Sequence, residues 1–108
     1  MKPNPRAEFI TPERCYILET WNDDSDPNVS IVRARVAPPV QTQLHALDDV
    51  DERYVVVAGE GEMHVGPDDV VVVPAGTAQS ITNVGDVDLV FYCVCSPRFR
   101  PEAYRALS

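Results

Sequence analysis

An all-β antiparallel sandwich or barrel is the fold class that this sequence predicts. Three observations carry it. Eight short runs rich in Val, Ile, Thr and aromatic residues follow one another closely. Each run is bounded by Gly, Pro, Asn or Asp, and the chain holds ten prolines. Only the last eight residues have the composition of a helix. Regular short strands with turn signals between them are the pattern of sandwiches and barrels.

In order, the strands are expected at 15–20 (CYILET) and 29–36 (VSIVRARV), around the polar loop 21–28 (WNDDSDPN). Next come 41–47 (QTQLHAL), 52–58 (ERYVVVA) and 61–66 (GEMHVG). The last three are 69–74 (DVVVVP), 78–84 (AQSITNV) and 88–95 (DLVFYCVC). Loop 21–28 is acidic, but it lacks the ordered spacing and distant glutamate of an EF-hand, so it reads as solvated Asx turns. The tail 101–108 (PEAYRALS) is read as a short helical tail, with Pro101 suited to its first position. No linker or low-complexity stretch divides the 108 residues, so one domain, 1–108, is expected.

A formal charge of −8, with nine basic residues thinly spread, excludes electrostatic affinity for nucleic acid or an anionic membrane. Cys15, Cys93 and Cys95 cannot all pair within one chain. On an apolar strand Cys93 and Cys95 would share one face, where buried reduced thiols packed with Leu89 and Phe91 are the simpler reading. Reduced thiols, no signal-like N-terminus and no apolar run long enough to span a bilayer give a cytoplasmic expectation.

Strand alternation selects the chemistry-bearing side chains. His45 and Leu47 share a face, as do Glu52, Tyr54, Val56 and Ala58, and as do Gln79, Ile81 and Asn83. The stretch DDVD between the first two sets reads as a hairpin turn that places His45 opposite Glu52, with Gln79 converging on them if the barrel closes. His64 falls on the outward side of its strand and reads as a surface residue.

These residues resemble the cupin superfamily. Its first motif, G-x5-H-x-H-x3-4-E-x6-G, is matched at His45, Glu52 and Gly59, with Pro39 at the initial glycine and Leu47 at the second histidine. Its second, G-x5-P-x-G-x2-H-x3-N, is matched at Pro74, Gly76 and Asn83, with Asp68 at the glycine and Gln79 at the histidine. The motifs lie at about 39–59 and 68–83, and the strand pattern extends the likeness over nearly the whole chain. The resemblance implies a cupin, or jelly-roll, antiparallel β-barrel. It also implies a homodimer in which the N-terminal strand around Phe9 and Ile10 packs on a second copy, covering an open sheet edge.

In a cupin the two histidine positions, His45 and Glu52 would hold a metal. Here Leu47 offers no donor and Gln79 offers only a neutral amide oxygen. The candidate metal set is therefore His45, Glu52 and Gln79, acceptable to Mn²⁺, Fe²⁺, Ni²⁺ or Zn²⁺. Leu47, Tyr54, Ile81 and Phe91 are the expected pocket wall. Two functions follow as expectations. One is a metal-dependent enzyme acting on a small organic molecule, of the dioxygenase, isomerase or decarboxylase type; the other is a metal-free small-molecule binding module. Glu52 and Tyr54 are the proton-active side chains expected beside the site.

Overall fold

The computed structural model describes residues 7–107, and the ends of the expected 1–108 domain lie outside the described residues. Eight strands are present: β1 (Phe9–Ile10), β2 (Tyr16–Trp21), β3 (Ser30–Val36), β4 (His45–Leu47), β5 (Asp51–Ala58), β6 (Val70–Val73), β7 (Leu89–Ser96) and β8 (Tyr104–Ala106). Six of them form one antiparallel sheet in the order β1-β2-β3-β7-β5-β6, and β4 pairs with β8 in a second layer. No helix among the described residues is long and apolar enough to cross a membrane.

Alternation builds the core from β7 outward. Leu89, Phe91, Cys93 and Cys95 are buried on one face of β7, as the run DLVFYCVC predicts. Across the ladders, Phe91 lies opposite Ala34 and Val56, and Cys93 opposite Tyr54. With Val36, Val73, Ile81 and Cys15 these make one apolar cluster, each fully buried aliphatic side chain worth about 1.5–3 kcal/mol. A smaller cluster holds Leu47, Val50 and Cys95 under Phe99 and Tyr104. All three cysteines are free and buried.

The second layer is less regular than the expected strands 41–47 and 78–84. Its segments are joined by single backbone links: Thr42 N to Ile81 O at 2.9 Å, Asn83 N to Val40 O at 3.0 Å, and a reciprocal pair between His45 and Gln79 at 3.0 and 2.7 Å. The expected strand 61–66 is instead a 3₁₀ turn, Glu62–His64, with His64 at φ 63° and its side chain 92% exposed. The helical part of the tail is the single 3₁₀ turn Pro101–Ala103, with Pro101 in its first turn; the chain then extends into β8.

The expected β4–β5 hairpin is not formed. β4 is flanked by β8 and Gln79, and β5 by β6 and β7, so neither has an edge left for the other. The DDVD stretch is a corner that carries the chain from one layer to the other, with Asp49 at φ 62°. His45 and Glu52 therefore approach from different layers.

Candidate functional site

The register of β5 sets the first side chain. Glu52 pairs with Cys95 on one side and Val73 on the other, so alternation turns its carboxyl into the barrel, 7% exposed. Its Oε2 accepts from the Cys95 thiol at 3.7 Å, and its Oε1 has no hydrogen-bond partner. Burial pushes the Glu52 pKa above the ordinary carboxylate range. Polar contacts with Gln79 and Cys93 and the nearby His45 pull it back only in part.

His45 enters from β4, buried beneath Tyr104, its ring stacked at 5.0 Å between centroids and 18° between planes. Its Nδ1 lies 2.7 Å from the Gln43 carbonyl oxygen. A carbonyl can only accept, so Nδ1 carries the proton and, in the neutral ring, Nε2 carries the lone pair. Gln79 reaches the site through its backbone pair with His45, and its side-chain oxygen accepts a hydrogen bond from the Tyr54 hydroxyl. The structure thus brings His45, Glu52, Gln79 and Tyr54 together, His45 and Glu52 meeting from two layers rather than across the expected hairpin.

Glu13 is a member the sequence reading missed. It sits in the turn between β1 and β2, which is stapled to the 41–45 segment by Gln43 N to Glu13 O at 3.0 Å and Arg14 Nε to Gln41 O at 2.8 Å. These bonds bring Glu13 Oε2 to 3.6 Å from His45 Nδ1. Burial raises the Glu13 pKa, the His45 imidazole lowers it, and Glu52 adds a smaller raising effect. Tyr104 was likewise missed. Both contacts depend on how a turn and a tail dock, and neither leaves a periodic signal.

A cavity of about 420 Å³ opens beside this cluster. Leu44, Val65, Val71, Val73 and Ile81 supply its apolar wall, and Tyr54, Glu62, Thr77, Gln79 and Ser80 the polar part of its lining. Of the four expected pocket residues, Tyr54 and Ile81 line it. Leu47 packs in the smaller core cluster, and Phe91 sits behind Tyr54 with ring centroids 4.7 Å apart. Alternation had put both on the inner face, but the core fills before the cavity begins.

The donor chemistry can be set against a cupin metal. The Gln79 amide oxygen is already engaged by Tyr54, and Leu47 faces the core. Among the described residues, no three His, Cys, Asp or Glu side chains are grouped to hold an ion. The residues present do not complete a metal site; His45 Nε2 and Glu52 Oε1 remain as donors, with the unpartnered Glu13 Oε2 on the Nδ1 side of His45.

No family model matches the chain, and no curated protein matches it. Solved structures do. A Klebsiella pneumoniae protein with a double-stranded β-helix domain superposes with a TM-score of 0.78 at 14% identity, covering 93% of this chain and 90% of that one. A variant of Streptomyces PAC13 with uridine gives 0.76 at 20% identity, covering 99% and 89%. The capsular polysaccharide assembling protein CapF from Staphylococcus aureus gives 0.78 at 21% identity, covering 94% of this chain but 34% of CapF. The chain thus spans about a third of CapF. The likeness shows the fold: this chain is a double-stranded β-helix of the cupin type.

Proposed function

We propose that this cupin binds a small organic molecule in the 420 Å³ cavity, with Tyr54 and Gln79 orienting its polar end. The carrying observation is the cavity's composition, an apolar wall with a few converging polar groups, which is the usual make-up of a ligand site. The PAC13 structure with uridine supports a ligand of that size on this fold. If the ligand is also transformed, Glu52 and Tyr54 are the proton-active groups beside it, which suits an isomerase-type proton transfer. A thermal-shift screen of uridine, sugars and small acids tests the reading. Hits should disappear in Ala78→Trp, which plugs the cavity from its exposed rim. Hits that survive this substitution place the ligand elsewhere.

A second reading keeps a divalent ion. It draws on the pinned tautomer of His45 and the unpartnered Oε1 of Glu52, two donors suited to Mn²⁺, Fe²⁺, Ni²⁺ or Zn²⁺. Elemental analysis of protein purified without added metal decides it. Less than about one-tenth equivalent of any transition metal, unchanged in Glu52→Ala, sinks this reading.

The homodimer expectation draws on Phe9 and Ile10, both more than half exposed on edge strand β1. Light scattering on the protein and on Phe9→Asp tests it: an unchanged monomer mass in both removes the dimer.

A further inference from the structure

The charge around the cavity restricts what can enter it, given the reading above that it is the ligand site. Among the described residues lining it, none is Lys, Arg or His; the ionisable ones are Glu62 and Tyr54. Next to Gln79 lies the buried carboxyl of Glu52, and beyond His45 lies Glu13. Several basic side chains among the described residues face or pair elsewhere, including His64, whose Nδ1 lies 3.3 Å from Glu60. Arg53 alternates with Glu52 and Tyr54 and faces out from β5. Arg14 holds the Gln41 carbonyl, Arg35 pairs with Glu8 and Asp88, and Arg105 with Asp48. His45 is held between the Gln43 carbonyl and Glu13.

The polar lining also offers the Thr77 and Ser80 hydroxyls, which donate or accept, and the Gln79 amide N–H groups, but no charged donor among the described residues. Tyr54 spends its proton on Gln79 Oε1, so its oxygen has only acceptor capacity left. Glu62 is an acceptor, and two carboxylate oxygens nearby, Glu13 Oε2 and Glu52 Oε1, lack partners. An anion entering here would lose its water and find no cation, the costly way to bury a charge. A neutral or cationic molecule bearing hydroxyl, N–H or ammonium groups meets no such penalty and finds acceptors in Tyr54 and Glu62. We propose that the cavity selects a neutral or cationic organic molecule and rejects carboxylates and phosphates.

The test uses matched triplets of one scaffold: benzyl alcohol, benzylammonium and benzoate, and uridine with its 5′-ammonium and 5′-carboxylate counterparts. Affinities are read by ligand-observed NMR at one neutral pH, in the natural protein, in Ala78→Trp and in Ser80→Lys. The neutral and cationic members should bind in a manner lost in Ala78→Trp, with the carboxylates weaker by about tenfold or more. Ser80→Lys, which places a cation on the half-buried rim, should shrink that gap by a similar factor. Carboxylates that bind as tightly as their neutral partners, and are lost in Ala78→Trp, overturn the proposal. So does a Ser80→Lys variant that folds but leaves the preference unchanged. If no member binds in an Ala78-dependent way, the ligand-site reading itself fails, and the selectivity with it.

Discussion

Replacing Glu52 with Gln should make the protein more stable at neutral pH and leave it little changed in acid. Burial raises the Glu52 pKa above its ordinary value of 4.5, so the folded state keeps the proton to higher pH than the unfolded chain does. The stability tied to this group is therefore fully present below about pH 4.5. It is lost as the pH rises through the raised folded-state value. Above that value the natural protein carries a carboxylate, 7% exposed, with one oxygen unpartnered and the other facing a weak thiol donor. Each unit of upward shift is worth about 1.4 kcal/mol. The cost of an unsatisfied buried polar group is about 1–3 kcal/mol, and the Glu52→Gln variant should recover a similar amount. For a domain of this size that is roughly 5–15 °C in melting temperature. In urea it is a midpoint shift on the order of 1 M. Urea unfolding of both proteins across pH 4–9 is the assay. Parallel stability curves would refute the reasoning, as would a variant less stable than the natural protein at pH 8.

Asn83→Ala should cost about 2–4 kcal/mol in urea unfolding. Asn83 is 1% exposed, its amide donates to the carbonyls of Val36 and Val87 at 2.9 and 2.8 Å, and its oxygen accepts from Gly85 N at 2.9 Å. Gly59→Ala should cost about 3 kcal/mol or more, because at φ +81° its Cβ would fall 2.4 Å from the Asp88 carbonyl oxygen. Gly76→Ala, at φ +78° with nothing within 4 Å, should cost only the backbone strain of about 1–2 kcal/mol, and the two melting curves should separate accordingly. Tyr54→Phe should lose about 1–3 kcal/mol by stranding the Gln79 oxygen, and should weaken every ligand that Ala78→Trp blocks.

Period-2 alternation made most of the large sheet legible. β7 and β5 bury the residues the pattern selects, because both have neighbours on either side and one face against the core. It failed where backbone pairing is sparse. The run GEMHVG has the composition of a strand, yet the chain closes a bridge from Gly61 to Val65, and a 3₁₀ turn fills the space between. The hairpin expectation failed for a related reason. DDVD is a good turn sequence, but a turn sequence does not say whether the strands it joins lie in one sheet or in two. Glu13 was out of reach because its partner lies 32 residues away and their contact is set by a docked turn.

The site residues show how chemistry can change while geometry stays. His45 and Gln79 are held together by a reciprocal pair of backbone hydrogen bonds, which any residue but proline could make at either position. The placement of these two residues within the second layer therefore does not depend on a bound ion. Once a leucine and a glutamine stand where donors would be, the glutamine oxygen turns to Tyr54 and the remaining carboxylate is left desolvated. A desolvated carboxylate favours its proton, whereas a metal ligand must give the proton up. A divalent ion at His45 and Glu52 would therefore have to displace that proton. The Glu52→Gln stability profile, measured with and without added Mn²⁺, would separate the two readings: a gain unaffected by the ion means that Glu52 does not ligate it, and a gain that shrinks or reverses with Mn²⁺ means that it does.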